Sequence, residues 1–110
     1  MKPWREFGHW RRGLEYALDG GLWLHRFTLR GRAWAHLVST DREALLEAGQ
    51  QLDIPARAAL QYRPVRDPRT GRTAEAWHWD LTHTPLERAL AGALPKVPFG
   101  QTVTSDRSER

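Results

Sequence analysis

Trp77-His78-Trp79-Asp80-Leu81, taken together with Trp34-Ala35-His36-Leu37-Val38, decides how this chain folds. Both stretches are rich in aromatic and branched residues, as strands are, and both run directly into a helix start signal. Side chains alternate between the two faces of a strand, so Trp77, Trp79 and Leu81 share one face while His78, Asp80 and Thr82 share the other. In the first strand His36 shares its face with Trp34 and Val38. A purely structural strand would favour Val, Ile or Thr where these segments carry His and Asp. Placed side by side, the two strands bring His36, His78 and Asp80 together.

The helix signals follow at once. Thr40 with Glu43 reads as a capping box, Leu45, Ala48 and Leu52 then recur at helical spacing, and Pro55 stops the run. Thr84, Pro85 and Glu87 repeat the device as cap, first helical residue and box partner. Leu86, Ala89, Leu90, Ala93 and Leu94 form the buried stripe of this second helix, which Pro95 ends. The two strand-to-helix units align without a gap, with Leu37 on Leu81, Thr40 on Thr84, Glu43 on Glu87 and His36 on Asp80. Two helix N-termini are therefore expected just past the ends of the two polar strands, with His36 and Asp80 near a common edge or end.

Outward from these units, Leu22–Leu29 alternates as a strand with Trp23, His25 and Phe27 on one side. Arg30-Gly31 then turns it into Arg32–Val38 as a hairpin. Ala59–Val65 predicts a further strand, and the turn signal from Asp67 to Arg72 predicts a second hairpin returning into Trp77–Leu81. Leu14–Leu18 is a short amphipathic stretch ending at Asp19-Gly20-Gly21. The expected organisation is a basic, aromatic extension over 1–21, one compact domain over 22–98 and a polar, disordered tail over 99–110. The fold class is α/β of the α+β type. It is a small two-layer domain with a mixed sheet of about 4–5 strands and two main helices on one face.

A chain of 110 residues builds one core. The absence of cysteine excludes disulfides, thiolate nucleophiles and thiolate zinc sites. No apolar run reaches the length of a membrane span, and the start lacks the apolar stretch of a secretory signal, so no membrane partner and a cytoplasmic location are expected. The net charge of +4 favours anionic partners. Lys2 and Lys96 are the only lysines. Arginine pairs with phosphate bidentately, which points to nucleic acid or nucleotide, although GC-rich codon usage produces the same bias.

Trp34-Ala35-His36-Leu37, a helix over Asp41–Leu52, then His78-Trp79-Asp80-Leu81 and an Ala/Leu-rich helix resemble the family called domain of unknown function 4031. Its small bacterial and phage members carry a Trp-small-His-Leu element followed by a His-aromatic-Asp element. The resemblance spans Gly31 to Val97 and implies a compact domain, with no reaction attached. Gln61–Ala76 is longer and more arginine-rich than the family's link, and the segment before Trp23 is additional to it.

His36, His78 and Asp80 are the candidate catalytic residues. Two imidazoles and a carboxylate can hold a divalent metal with positions left for water and substrate. Without metal they supply acid–base chemistry near neutral pH. Arg32, Ser39, Thr82, Arg63, Arg66, Arg69 and Arg72 are the candidate substrate- or phosphate-binding residues. Ser39 and Thr82 sit beside the expected helix N-termini, and the last four arginines lie with Tyr62 in one segment. His25 and His83 are weaker candidates, and His9 an exposed arm residue. The expected function is a hydrolase with a His/Asp site acting on a phosphate-containing substrate such as nucleic acid. Two other readings stay open: a non-catalytic basic nucleic-acid-binding module, and a small protein-interaction or inhibitor protein.

Overall fold

The computed structural model describes residues 2–55 and 57–100. Along the chain run β1 (Trp4–Phe7), α1 (Trp10–Leu18), β2 (Leu22–Leu29), β3 (Arg32–Ser39) and α2 (Arg42–Gln51). They are followed by β4 (Gln61–Tyr62), β5 (Val65–Arg66), β6 (Thr73–Ala74), β7 (Trp77–Leu81), α3 (His83–Gly92) and β8 (Leu94–Val97). Among the described residues, six strands make one mixed sheet in the order β4-β7-β3-β2-β1-β8, and β5 pairs with β6 in a separate ribbon. This is the α+β class expected, with a larger sheet. β1 is parallel to both β2 and β8, whereas β2, β3, β7 and β4 are successively antiparallel.

The alternation read from the sequence sets the two faces. Leu22, Leu24, Ala35, Leu37, Trp79 and Leu81 are buried on one face against Leu45 and Ala48 of α2 and Leu86 and Ala89 of α3. Two indole N–H groups tie those helices to the sheet: Trp79 Nε1 donates to Leu45 O and Trp4 Nε1 to Ala89 O, both at 2.7 Å. Each buried ring thus contributes apolar area and satisfies its own polar atom. The β2–β3 hairpin turns through Arg30 and Gly31 at φ 51° and 76°, the paired positive angles of a turn that matches strand twist.

Of residues 1–21, expected as an extension ahead of the domain, the described ones, 2–21, are built into it. β1 lies between β2 and β8, and Trp4 is buried in the core. α1 then packs on the face opposite α2 and α3. A Cβ on its Gly13 would lie 2.1 Å from the Trp23 indole, so only glycine admits this approach. A strand as short as β1, paired in parallel to segments distant in sequence, leaves no local periodicity to read. Positions 101–110 of the expected tail lie outside the described residues.

Both caps are corrected. The α2 cap is Asp41, whose Oδ1 accepts from Ala44 N at 3.0 Å. Thr40 instead donates through Oγ1 to Ala17 O at 2.8 Å, tying the end of β3 to α1. α3 begins at His83 with Thr82 as a cap whose side chain makes no capping bond to the helix, so Pro85 falls inside the first turn rather than opening it. The two N-termini do not share an end either. β3 and β7 are antiparallel, with Ser39 opposite Trp77 and Ala35 opposite Leu81, so α2 and α3 leave the sheet at opposite ends.

Candidate functional site

Antiparallel register brings the polar residues together. His36 lies directly opposite Asp80, and Val38 opposite His78. All three side chains stand on the face away from α2 and α3, His36 in the middle of β3 and His78 and Asp80 each one residue in from an end of β7. His36 Nε2 and His78 Nε2 lie 3.0 and 3.3 Å from the same carboxylate oxygen, Asp80 Oδ1. The two imidazole centroids are 4.5 Å apart. One ligand atom from each of the three residues falls within 4.8 Å of the others.

Asp80 is anchored from the sheet edge. Gln61, on β4, donates through Nε2 to Asp80 Oδ2 at 2.5 Å, because β4 pairs with β7 and sets Gln61 beside His78. The single strand predicted over Ala59–Val65 is divided into β4 and β5, which lie in different sheets, and Gln61 was not singled out. No local signal marks Gln61, because which face it takes depends on the pairing of β4 with β7. His25 was a weaker candidate, and it stands directly opposite His36 across β2–β3, its ring stacked on Trp23 at 4.8 Å.

These residues line a concavity of about 420 Å³ that also takes in Trp23, Leu14, Val65 and Arg63. α1 forms one wall and the β5–β6 ribbon another. Arg69, at the ribbon's tip, donates from Nη1 and Nη2 to both carboxylate oxygens of Asp19 at 3.2 and 3.0 Å and also pairs with Asp67. That clamp joins the ribbon to the end of α1.

Burial sets the protonation states. His78, buried, has its pKa lowered by desolvation, with the Asp80 charge opposing and Arg63 assisting. His36 is lowered by desolvation first and by His78 second, against the raising effect of Asp80. His25 is lowered by desolvation. Both cluster rings are therefore neutral at pH 7, each with one nitrogen lone pair.

The candidate phosphate binders separate. Arg63 borders the cluster. Ser39 is fully buried and its Oγ accepts from Asp41 N at 2.9 Å, so its hydroxyl is turned away from the site. Arg69 is committed to Asp19 and Asp67. Arg66 and Arg72 are exposed on the ribbon. Thr82 Oγ1 reaches Ala33 O at 3.5 Å, and Arg32 lies 3.2 Å from His83 Nε2, both toward the far end of the same face. Arg32 and Thr82 therefore do not join the cluster.

No family model, curated protein or solved structure matches the chain. The resemblance to domain of unknown function 4031 thus rests on the two strand elements and the helix between them. No helix among the described residues is long and apolar enough to cross a membrane.

Proposed function

We propose that this protein is a divalent-metal-dependent hydrolase of phosphate esters, with His36, His78 and Asp80 as the metal ligands. The observation that carries the reading is the convergence of three ligand atoms within 4.8 Å on adjacent strands, inside a half-enclosed basin. Bonds of about 2.1 Å in tetrahedral geometry put ligand atoms about 3.4 Å apart. The separations of 3.0 and 3.3 Å around Asp80 Oδ1 are already close to that. Lowered histidine pKa values favour binding, because a metal competes with protons for the imidazole lone pairs.

The bound metal would supply an acidified water as nucleophile and polarise the phosphoryl oxygen. The chain's own residues do the rest. Gln61 holds the Asp80 carboxylate in place, as groups that orient ligands do in metal sites. Arg63 pairs with the non-bridging phosphate oxygens. His25, next to His36 and exposed, takes a proton from the attacking water as a general base and returns it to the departing oxygen. The non-catalytic nucleic-acid-binding reading has less support, because Arg69 is held by Asp19 and Asp67 within the fold.

Calorimetric titration with Zn²⁺ and Mn²⁺, paired with hydrolysis of bis(p-nitrophenyl) phosphate, tests this. Wild type should bind one equivalent and turn over the diester, and His78→Ala, with its folding checked by circular dichroism, should lose both. A wild type that binds neither metal, or a folded His78→Ala as active as wild type, refutes it.

A further inference from the structure

The side chains on the site face change in burial from one end to the other, and the more exposed end, next to the basin, is aromatic. Successive rows of side chains on the site face run from Trp23, Val38 and His78 through His25, His36 and Asp80 to Phe27 and Trp34. α1 and the clamped β5–β6 ribbon cover the Trp23 end. Beyond His36 they reach no further: Phe27 and Trp34 are only half-buried, and Leu29 is half-exposed one row further out. Phe27 stacks on Trp34 with centroids 6.4 Å apart and planes inclined by 18°, and it touches the His36 ring at 4.5 Å. Phe27 and Trp34 stand one row beyond His25 and His36, so a ligand whose phosphate sits at His36, His78 and Asp80 can extend across these rings.

We infer that Phe27 and Trp34 are the seat of a nucleobase, and that the substrate is a single-stranded nucleic acid whose scissile phosphate lies at the neighbouring cluster. Adjacent rows are two residues apart along a strand, about 7 Å, which is on the scale of one nucleotide and sets base and phosphate on neighbouring rows. Sequence-tolerant stacking on aromatic side chains is how single strands are held on open sheet faces. Charge agrees with such an occupant. Arg63 borders the phosphate end, Arg32 stands at the far end of the same face, and the chain carries a net charge of +4. A duplex is disfavoured, because its bases are already stacked on one another and present no free face. The placement of the phosphate rests on the metal-site reading above, whereas the stacking platform is tested independently of it.

The test is fluorescence anisotropy of a short fluorescein-labelled oligothymidylate, with chelator present so that metal binding and hydrolysis play no part. An abasic strand of equal length and a duplex of equal length serve as comparators. Wild type should bind the oligothymidylate about tenfold more tightly than the abasic strand, the scale of one stacked base. Trp34→Ala should abolish that difference. Trp34→Phe should keep most of it, and Phe27→Leu, which retains bulk without the ring, should reduce it. Equal affinity for abasic and intact strands, undiminished preference in Trp34→Ala, preference for the duplex, or no binding at all by wild type would each overturn the inference. Zinc titration of wild type and His78→Ala reports on the metal reading alone, so the failure of either idea is told apart from failure of the other.

Discussion

Replacing Asp80 by Asn separates the metal reading from a purely structural one. The substitution preserves volume but removes the charge and one anionic ligand, while both histidines stay in place. The side chain is 37% exposed, so loss of its partly solvated contacts should change the stability of the metal-free protein by less than about 1 kcal/mol. Metal affinity should fall far more. Removing even an orienting partner costs 10–100-fold, and a direct anionic ligand costs at least about 100-fold. At zinc concentrations about 100 times the wild-type Kd, linkage stabilises wild type by about 2.7 kcal/mol, while a 100-fold weaker variant gains about 0.4 kcal/mol. For a domain of this size that is a rise in Tm of about 10 °C against about 2 °C. Differential scanning fluorimetry with and without zinc reads this directly. Equal zinc-induced shifts in wild type and Asp80→Asn, or none in wild type, would refute the assignment.

The lowered pKa values of His25, His36 and His78 mean that the unfolded chain binds more protons than the native one below the ordinary value of 6.5. Metal-free stability should therefore be greatest above that pH and fall as pH drops through it toward the depressed native values. Urea midpoints measured from about pH 7 down to pH 5 should fall, less steeply in His78→Gln; a midpoint that rises on acidification contradicts the burial of these rings. Trp79→Phe should cost roughly 1–3 kcal/mol, since it removes a buried indole donor to Leu45 O and leaves space over α2, and a urea midpoint within error of wild type would deny that tie. Arg69→Ala should leave the salt slope of oligonucleotide binding unchanged, because its charge is spent on Asp19 and Asp67, whereas Arg63→Ala should lower that slope by about one unit. A fall in slope with Arg69→Ala would return the ribbon to the binding surface.

The faces of β3 and β7 were legible because alternation has a period of two residues and is complete within five. Within β7, His78 and Asp80 could be set on the face opposite Trp79 and Leu81, and within β3, His36 on the face opposite Leu37, without knowledge of any partner. The two-residue hairpin turn at Arg30-Gly31 and the existence of α2 and α3 were legible for the same reason, since turn and capping signals span only a few positions. The cap itself was not, because Thr40 and Asp41 are both competent and a contact with Ala17 across the fold claims Thr40.

Tertiary structure decided everything that depends on which segments meet. Antiparallel register between β3 and β7 sets the two histidines around one carboxylate oxygen, and it also sends the two helices off opposite ends. That register follows from burying Leu37 and Trp79 together against α2, a term that belongs to the whole sheet. β1 and β8 pair in parallel across nearly the full chain, so neither is stable or recognisable alone. Gln61 becomes the anchor of Asp80 only when β4 joins the edge at β7. The four arginines between 63 and 72 look equivalent in the sequence, until packing against the end of α1 gives Arg69 an internal partner and leaves Arg63 beside the basin. Local chemistry names the residues able to react or bind; long-range burial, which no short window contains, chooses which of them face one another.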